Sequence, residues 1–551
     1  MIFSADFETT TQPDDCRVWA WALCEVGNCN NIKIGTDISS MFSCVTELKQ
    51  NVVLYFHNLK FDGEFILNWL FKNDFVHVSD RKKLTDKTFC TLISDKGVFY
   101  SIEILIENIR IKIYDSLKLF PFSVDKIAKA FNLSTQKLSI DYTAIRPVGW
   151  NLTDEEIEYI KHDVVIVANA LEILFAQKLN KMTIGSNALE DYKKIIQKNR
   201  FKKMFPPPNY DSDIRKAYRG GFTYLNPKFK EIDIGVGIVL DVNSLYPSVM
   251  YYNDMPYGDG IAYEGTYIPD EMYPLYVQYI SCQFEIKKDK IPTIQLKNNL
   301  AFVPNEYITS SNGEYVTMAL TSVDLELFLK HYDVYDLDYL FGYKFKASNT
   351  LFRDYIDKWN KIKVESAING NAPMRQIAKL MLNNLYGKFA LNPNVRSKIP
   401  YLGDDGIIHY KLGEEEKREP IYIPVGVFIT AWSRYKTITS AQSVYDRFVY
   451  ADTDSLHLIG DEIPKELEVS DTELGKWKVE SRFTRARFLR QKTYIEEIND
   501  ELKITCAGMP ESCYQYVNWD NFRTGAEYPG KLKISHVAGG IVLADSPHTL
   551  R

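Results

Sequence analysis

The chain has no C-x-x-C pair and no cysteine–histidine spacing of the kind that holds zinc. Its eight cysteines (Cys16, Cys24, Cys29, Cys44, Cys90, Cys282, Cys506 and Cys513) and eight histidines are scattered along it. The cysteines are therefore read as reduced, non-ligand residues. No uninterrupted apolar run approaches the length of a membrane span. The opening "MIFSADFETT" has neither the basic start nor the continuous apolar core of a signal peptide, so a cytosolic chain with no membrane partner is expected. Internal repeats and low-complexity tracts are missing too. Strong net charge is the last absence. A formal charge of -6 looks wrong for a nucleic-acid protein, but it is a global sum, and polyanion binding depends on local basic stripes.

Such stripes are present. "DYKKIIQKNRFKKMF" (191–205) and "RFTRARFLRQKTY" (482–494) interleave Lys and Arg with Phe and Tyr, the mixture that grips phosphates and stacks bases. At 551 residues the chain exceeds what one core usually holds, so two or more domains are expected. Its 45% hydrophobic and 25% charged content is ordinary for a globular protein and excludes a disordered or fibrous one.

Along the first 180 or so residues, strand-like runs ("MIFSADFE", "RVWAWALCEV", "VVLYFH", "IRIKIYDS") alternate with helical ones ("GEFILNWLF", "TDEEIEYIKHDVVIVANALEILFAQKL"), an α/β signature. Thr153 with Glu156 three residues on predicts a capping box at the start of the last helix. "FPPPNY" then stops the pattern, because consecutive prolines continue neither a helix nor a central strand, and a domain boundary is placed near it. Beyond lie a strand-turn-helix (237–250), a mixed region to about 350, a helical pair over 351–390, and a hairpin-like insert (399–424) around Gly-Asp-Asp-Gly. A second hairpin, "RFVYADTDSLHLIG" (447–460), follows.

That second hairpin carries Asp452 and Asp454 at its tip. Two buried anions so close repel, and a divalent cation is their usual partner. Asp241, at the end of the apolar strand "IVL", would stand opposite Asp454 and give two carboxylates able to hold two Mg²⁺ for in-line phosphoryl transfer. Cations for a triphosphate are present on the helical pattern "MRQIAKLMLNNLYGKF": Arg375 and Lys379 share a face that Asn383 and Tyr386 extend. In the first half, Asp6 and Glu8 lie two apart on one face of a strand. Asp62 and Asp163 add two more acids, and Tyr159 precedes Asp163 by one helical turn. An edge strand with a wet face is the plainer account of Asp6 and Glu8 taken alone.

"DVNSLYP", "KLMLNNLYG" and "YADTDS", in that order, resemble motifs A, B and C of the family B DNA polymerases. "YRGGF" (218–222), "TAWSRY" (430–435) and "KTY" (492–494) narrow the resemblance to the protein-primed bacteriophage polymerases of the phage phi 29 type. The similarity runs from about residue 4 to near the C-terminus and includes "YFHNLKFDG", "IYDSLK", "RPVG" and "FRDYIDKW".

The resemblance implies an α/β and α+β multidomain fold: an RNase H-like 3′-5′ exonuclease domain, then a right-hand polymerase domain with two insertions. Its expected divisions are exonuclease 1–182, palm 183–252 and 425–506, fingers 355–390 and thumb 507–551. The first insertion, 253–354, would dock a terminal protein. The second, 391–424, would wrap downstream template and give processivity and strand displacement.

By resemblance, Asp241 with the adjoining Val242 and Asp454 bind metal and nucleotide, and Asp452 stands beside them. Tyr246 is the steric gate against a 2′-hydroxyl. Lys363, Arg375 and Lys379 hold the triphosphate, while Asn383 and Tyr386 line the nascent base pair. Lys492 and Tyr494 steady the primer end, and Thr430 and Arg434 contact DNA. Tyr218, Gly220 and Gly221 contact template, the glycines letting backbone approach phosphate closely.

In the exonuclease half, Asp6, Glu8, Asp62 and Asp163 bind two metals and Tyr159 orients the attacking water. Thr9, Asn58, Phe61, Ser116 and Leu117 hold the frayed strand, and Lys137 assists. His57 and His162 are taken as structural. The chain departs from the family pattern at Asn384, where Ser is usual, and at Ser433, where Ala is common.

The expected cofactors are two Mg²⁺ per active site, with Mn²⁺ able to substitute. The expected partners are template and primer DNA, dNTPs and a terminal protein, and the protein is expected to be a monomer in the host cytoplasm. A metal-dependent exonuclease with an inactive polymerase half, a non-catalytic replication scaffold, and a family B polymerase using only nucleic-acid primers are the alternatives.

Overall fold

The computed structural model describes residues 1–295 and 307–550. Alternating apolar residues in the N-terminal third pair into one eight-stranded sheet. Its centre is parallel: Ile2–Thr9 lies beside Val52–Phe56, which lies beside Ile109–Asp115. Val18–Glu25 and Asn28–Gly35 extend one edge antiparallel. Phe99–Ile106, Thr88–Ile93 and Val76–His77 extend the other. Helices Leu59–Lys72 and Asp154–Ala176 pack on it, the second opening with the Thr153/Glu156 capping box expected from sequence.

Two helices, Ile184–Ile196 and Lys198–Met204, then lead through the proline run into a second core. Here a five-stranded antiparallel sheet runs in the order Trp477–Phe483, Gly237–Val242, Ser455–Ile459, Phe448–Asp452, Thr223–Leu225. Two strands far apart in sequence therefore lie side by side, with Asp241 in register with Ser455, 214 residues later. The 21-residue helix Ile423–Ser443 supports the sheet; it is apolar and buried through its first half and turns polar toward its C-terminal end. Above it stand helices Arg353–Ile368 and Ala372–Asn384; the first crosses the expected division at 354/355.

The first insertion is built on a four-stranded sheet, Met255–Glu264, Tyr332–Ser348, Leu275–Ile286 and Val316–Thr321. Its residues 296–306 lie outside those described. The second is the long hairpin Asn394–Leu402/Ile408–Lys417, turning at Gly403–Gly406. It reaches the first domain, where Asp95 donates to the Arg396 carbonyl at 3.0 Å. The C-terminal part is a short 3₁₀ segment followed by the hairpin Glu527–Val537/Gly540–Thr549.

Candidate active sites

In the second core the hairpin tip is strained into place. Thr453 takes φ +59°, and its N–H donates to the Phe222 carbonyl at 2.6 Å, docking the turn onto the "YRGGF" segment. A Cβ on Gly221 would stand 2.6 Å from the Thr453 hydroxyl, so glycine at this position clears the turn. Gly220 has open space around it and is free for close approach. Val242 is buried and its N–H donates to the Asp454 carbonyl at 2.8 Å, which holds the turn bearing Asp454 against the end of the Asp241 strand.

Burial pushes the Asp241 carboxyl up to about 7, with Asp454 and then Glu480 adding to the rise and Lys478 opposing it. Asp454 is raised for the same leading reason. Two carboxyls that resist ionisation until a cation arrives are a hard-oxygen donor set suited to Mg²⁺. Asp452 differs, because Lys492 Nζ and the Thr223 hydroxyl already satisfy it at 2.7 to 3.0 Å.

Lys363 reaches Ser244, three residues past Asp241, and Lys379 feels the charge of Lys478, the strand partner of Asp241; Arg375 stands beside both lysines. Burial and mutual repulsion lower Lys363 and Lys379, and among the described residues none of the three meets a carboxylate within 4.0 Å. Lys363 Nζ donates to the Ser244 hydroxyl at 3.3 Å. Three unneutralised cations facing a carboxylate pair make a site for a polyanion that carries its own metal. Tyr246 stacks on Tyr386 with centroids 4.0 Å apart, and Asn383 is exposed on the same helix as Lys379.

Tyr494 stacks on Phe488 at 4.9 Å, beside Tyr450, whose hydroxyl receives the Lys492 N–H at 2.9 Å. Behind this aromatic wall, His457 Nδ1 and Glu496 Oε1 lie 2.7 Å apart, both almost wholly buried.

Thr430 and Arg434 are placed differently from expectation. Thr430 is 1% exposed and its hydroxyl donates back to helix carbonyls. Arg434 is 2% exposed. It grips Asp324 through two nitrogens and donates to the Arg219 and Gly220 carbonyls at 2.7 and 2.8 Å. Both lie on buried faces of this helix, and Arg434 bears on the "YRGGF" segment through the Arg219 and Gly220 carbonyls. Tyr218 is partly buried at the start of that segment.

In the first domain, ligand oxygens of Asp6, Glu8 and Asp163 lie within 4.8 Å of one another. Burial and each other's charge push Asp6 up to about 7 and raise Glu8. Asp62 stands outside that triad but close to it: burial and then the Asp6 charge raise it, and its own charge helps raise Glu8. Asp62 Oδ1 and Asp163 Oδ1 are buried with no hydrogen-bond partner, the state of a ligand oxygen awaiting a cation. The donors are all carboxylate, which fits Mg²⁺ or Mn²⁺.

Tyr159 receives the Lys137 ammonium at 3.1 Å and meets the Tyr142 hydroxyl at 2.5 Å; Lys137 also pairs with Asp163. Thr9 ends the metal-bearing strand, and Asn58, at φ +71°, opens the helix of Asp62. Phe61 packs on Phe65, and Leu117 donates its N–H to Asp115. Ser116 is wholly buried, with its hydroxyl 2.9 Å from His57 Nδ1, so it fixes the loop rather than reaching a strand. His57 and His162 both bond backbone carbonyls, as structural histidines do.

Sequence reasoning did not single out Tyr142, Tyr450, Asp324 or Glu480. Tyr142 lies in an irregular segment without periodicity, and Asp324 belongs to an insertion. Glu480 alternates with Lys478 on "WKVESRF", a pattern that marks one face of a strand but not which partner it meets.

Fold and sites together define a polymerase of type B. A family model for DNA polymerase type B, organellar and viral, matches residues 45–148 and 144–472, and the chain belongs to that family. Within it, the chain is similar to the phage phi29-type enzymes. It is 48% identical to the DNA polymerase of Bacillus phage Nf and 47% to that of Bacillus phage phi29, each over 100% of this chain and 99% of the relative. It is 32% identical to that of Streptococcus phage Cp-1, over 100% and 98%. Phi29 DNA polymerase solved with primer-template DNA superposes with a TM-score of 0.95 at 47% identity over the whole of both chains. The complex with primer-template DNA and incoming nucleotide gives 0.94.

Proposed function

We propose that the chain copies a DNA template by adding dNTPs to a primer end, removes mispaired 3′ ends at a separate site, and works as a protein-primed, strand-displacing, processive replicase. The observation that carries synthesis is the pairing of Asp241 and Asp454 opposite the unneutralised Lys363, Arg375 and Lys379. Bound there, two Mg²⁺ would activate the primer hydroxyl and neutralise the triphosphate. The chain's own residues do the rest: the three cations hold phosphates, Tyr246 and Tyr386 wall the sugar and base, and Lys492 and Tyr494 support the primer end. At the exonuclease site Asp6, Glu8, Asp62 and Asp163 would hold a second metal pair, while Tyr159, steadied by Lys137, orients water.

Similarity to phi29-type relatives along the whole chain supports protein priming, with the first insertion as the dock for a terminal protein. Mg²⁺, a monomeric state and the host cytoplasm belong to the same reading.

The test is extension on a singly primed circular template with Mg²⁺ and dNTPs, without clamp or helicase. The intact chain is compared with Asp454→Ala and with Asp6→Ala plus Glu8→Ala. Products longer than one circle, lost only in the first variant, with end degradation lost only in the second, are expected. Normal synthesis by Asp454→Ala would overturn the assignment.

A further inference from the structure

One motif is left over by both sites. The stretch from Gln177 to Phe205 holds eight cations, Lys178, Lys181, Lys193, Lys194, Lys198, Arg200, Lys202 and Lys203, against two acids. Both acids are spoken for: Lys198 pairs with Glu190 at 3.2 Å, and Lys358 of the helix Arg353–Ile368 pairs with Asp191 at 2.8 Å. Of the eight, all but Lys193 are exposed, and burial together with repulsion from Lys198 and Lys202 lowers Lys193.

Two grooves meet at Glu190. One, of about 460 Å³, runs between Lys193, Lys198 and Lys202 and the base of the second insertion at Glu419–Ile421. The other, of about 490 Å³, is edged by Lys178, Lys181, Lys194 and Lys358.

The surface lies behind the helix Ala372–Asn384. Lys388 Nζ donates to Ser186 at 3.1 Å and Gly185 abuts the Asn384 carbonyl, whereas Tyr386 faces Tyr246. The face is therefore set apart from the Tyr246–Tyr386 pair and borders the base of the second insertion, which the reading above lays over downstream DNA. Clustered cations beside shallow grooves suit a sequence-indifferent track that grips the phosphates of one strand.

We infer that this face binds the single strand of DNA displaced from the duplex ahead of the enzyme, an inference that rests on the strand-displacing reading above.

The test uses the full chain with EDTA and a primer-template junction whose downstream duplex carries, or lacks, a 5′ oligo-dT flap of about 12 nucleotides, within the usual single-strand site size. The wild type is expected to bind the flapped junction more tightly, and Lys181→Gln/Lys194→Gln/Lys198→Gln/Lys202→Gln to lose that preference. Four phosphate contacts at about 0.7 each lower the slope of log K against log salt by about 3, or about 50-fold between 50 and 200 mM salt. Unchanged extension by the variant on a single-stranded template shows that it folds.

A wild type indifferent to the flap, a variant that keeps the preference, or equal tightening by added duplex of the same length would overturn the inference. Extension of the wild type from a nick is a separate arm: its failure would remove strand displacement, while flap binding would still decide the surface.

Discussion

Lys492 Nζ stands 2.8 and 2.7 Å from the two carboxylate oxygens of Asp452, so the lysine expected at the primer end is also the counter-ion of the first hairpin acid. This explains how Asp452 and Asp454, two residues apart, take different parts: one is neutralised by the protein and the other is left for a cation. Lys492→Ala should therefore slow nucleotide addition while sparing end degradation. A charged hydrogen bond is worth about 1.5–3 kcal/mol, hence a loss of roughly 10- to 150-fold in extension rate. Equal loss at both activities would point to misfolding instead.

Lys137 should behave in the opposite way. It meets both Tyr159 and Asp163 from an irregular segment of the first domain. Lys137→Ala is expected to lower 3′-end degradation by about tenfold or more, on the same scale of charged hydrogen bonds, with extension of a matched primer unchanged. Gel assays of both activities on one preparation decide it.

Acidity follows from burial. Asp6 and Asp241 are both pushed up to about 7 from 3.8. The folded, metal-free chain thus holds protons that the unfolded chain has released, and stability present below about pH 4 is lost as pH rises through about 7. A divalent cation replaces those protons, so Mg²⁺ should raise the melting temperature more at about pH 8 than at about pH 6. Melts in EDTA and in Mg²⁺ at both values measure it, and equal shifts would refute it.

Tyr246 sits against Tyr386 at the foot of the cation cluster. Tyr246→Val opens that wall, and incorporation of ribonucleotides relative to dNTPs should rise by about 10- to 200-fold, the range that small steric changes in a pocket deliver. Steady-state incorporation of matched rNTP and dNTP pairs is the measurement.

The His457–Glu496 pair gives a stability prediction. His457→Ala leaves Glu496 buried without its partner, and an unsatisfied buried acceptor costs about 1–3 kcal/mol. Chemical denaturation should show that loss. Extension should suffer more than degradation, because the pair backs Tyr450 and Tyr494.

Much of this was legible in the chain. Period-two runs gave the strands, Thr153 and Glu156 the cap, and the acids at strand ends the carboxylate centres, because local pattern and local chemistry coincide there. What was not legible depends on long-range burial. Nothing local says that Arg434, on a helix of 21 residues, turns inward to Asp324 from an insertion 110 residues earlier. Nor does spacing reveal that Gly221 is needed by Thr453. Nor does the motif around Ser116 reveal that its hydroxyl is sealed between His57 and the Phe56 carbonyl.

The second insertion and the C-terminal hairpin both end on the helix Leu59–Lys72. Glu64, 2% exposed, accepts from the Tyr410 hydroxyl at 2.7 Å and lies 3.8 Å from His536 Nδ1, while a Cβ on Gly540 would strike the Phe65 ring. Synthesis runs from the N-terminus at about 5–20 residues per second, so the first domain waits on the order of a minute for the segment that covers it. The first surface to emerge from the ribosome is thus the last to be sealed. A chain cut short before its final hairpin would keep the Tyr410 contact but leave the Phe65 side of that helix as bare as it was when newly made.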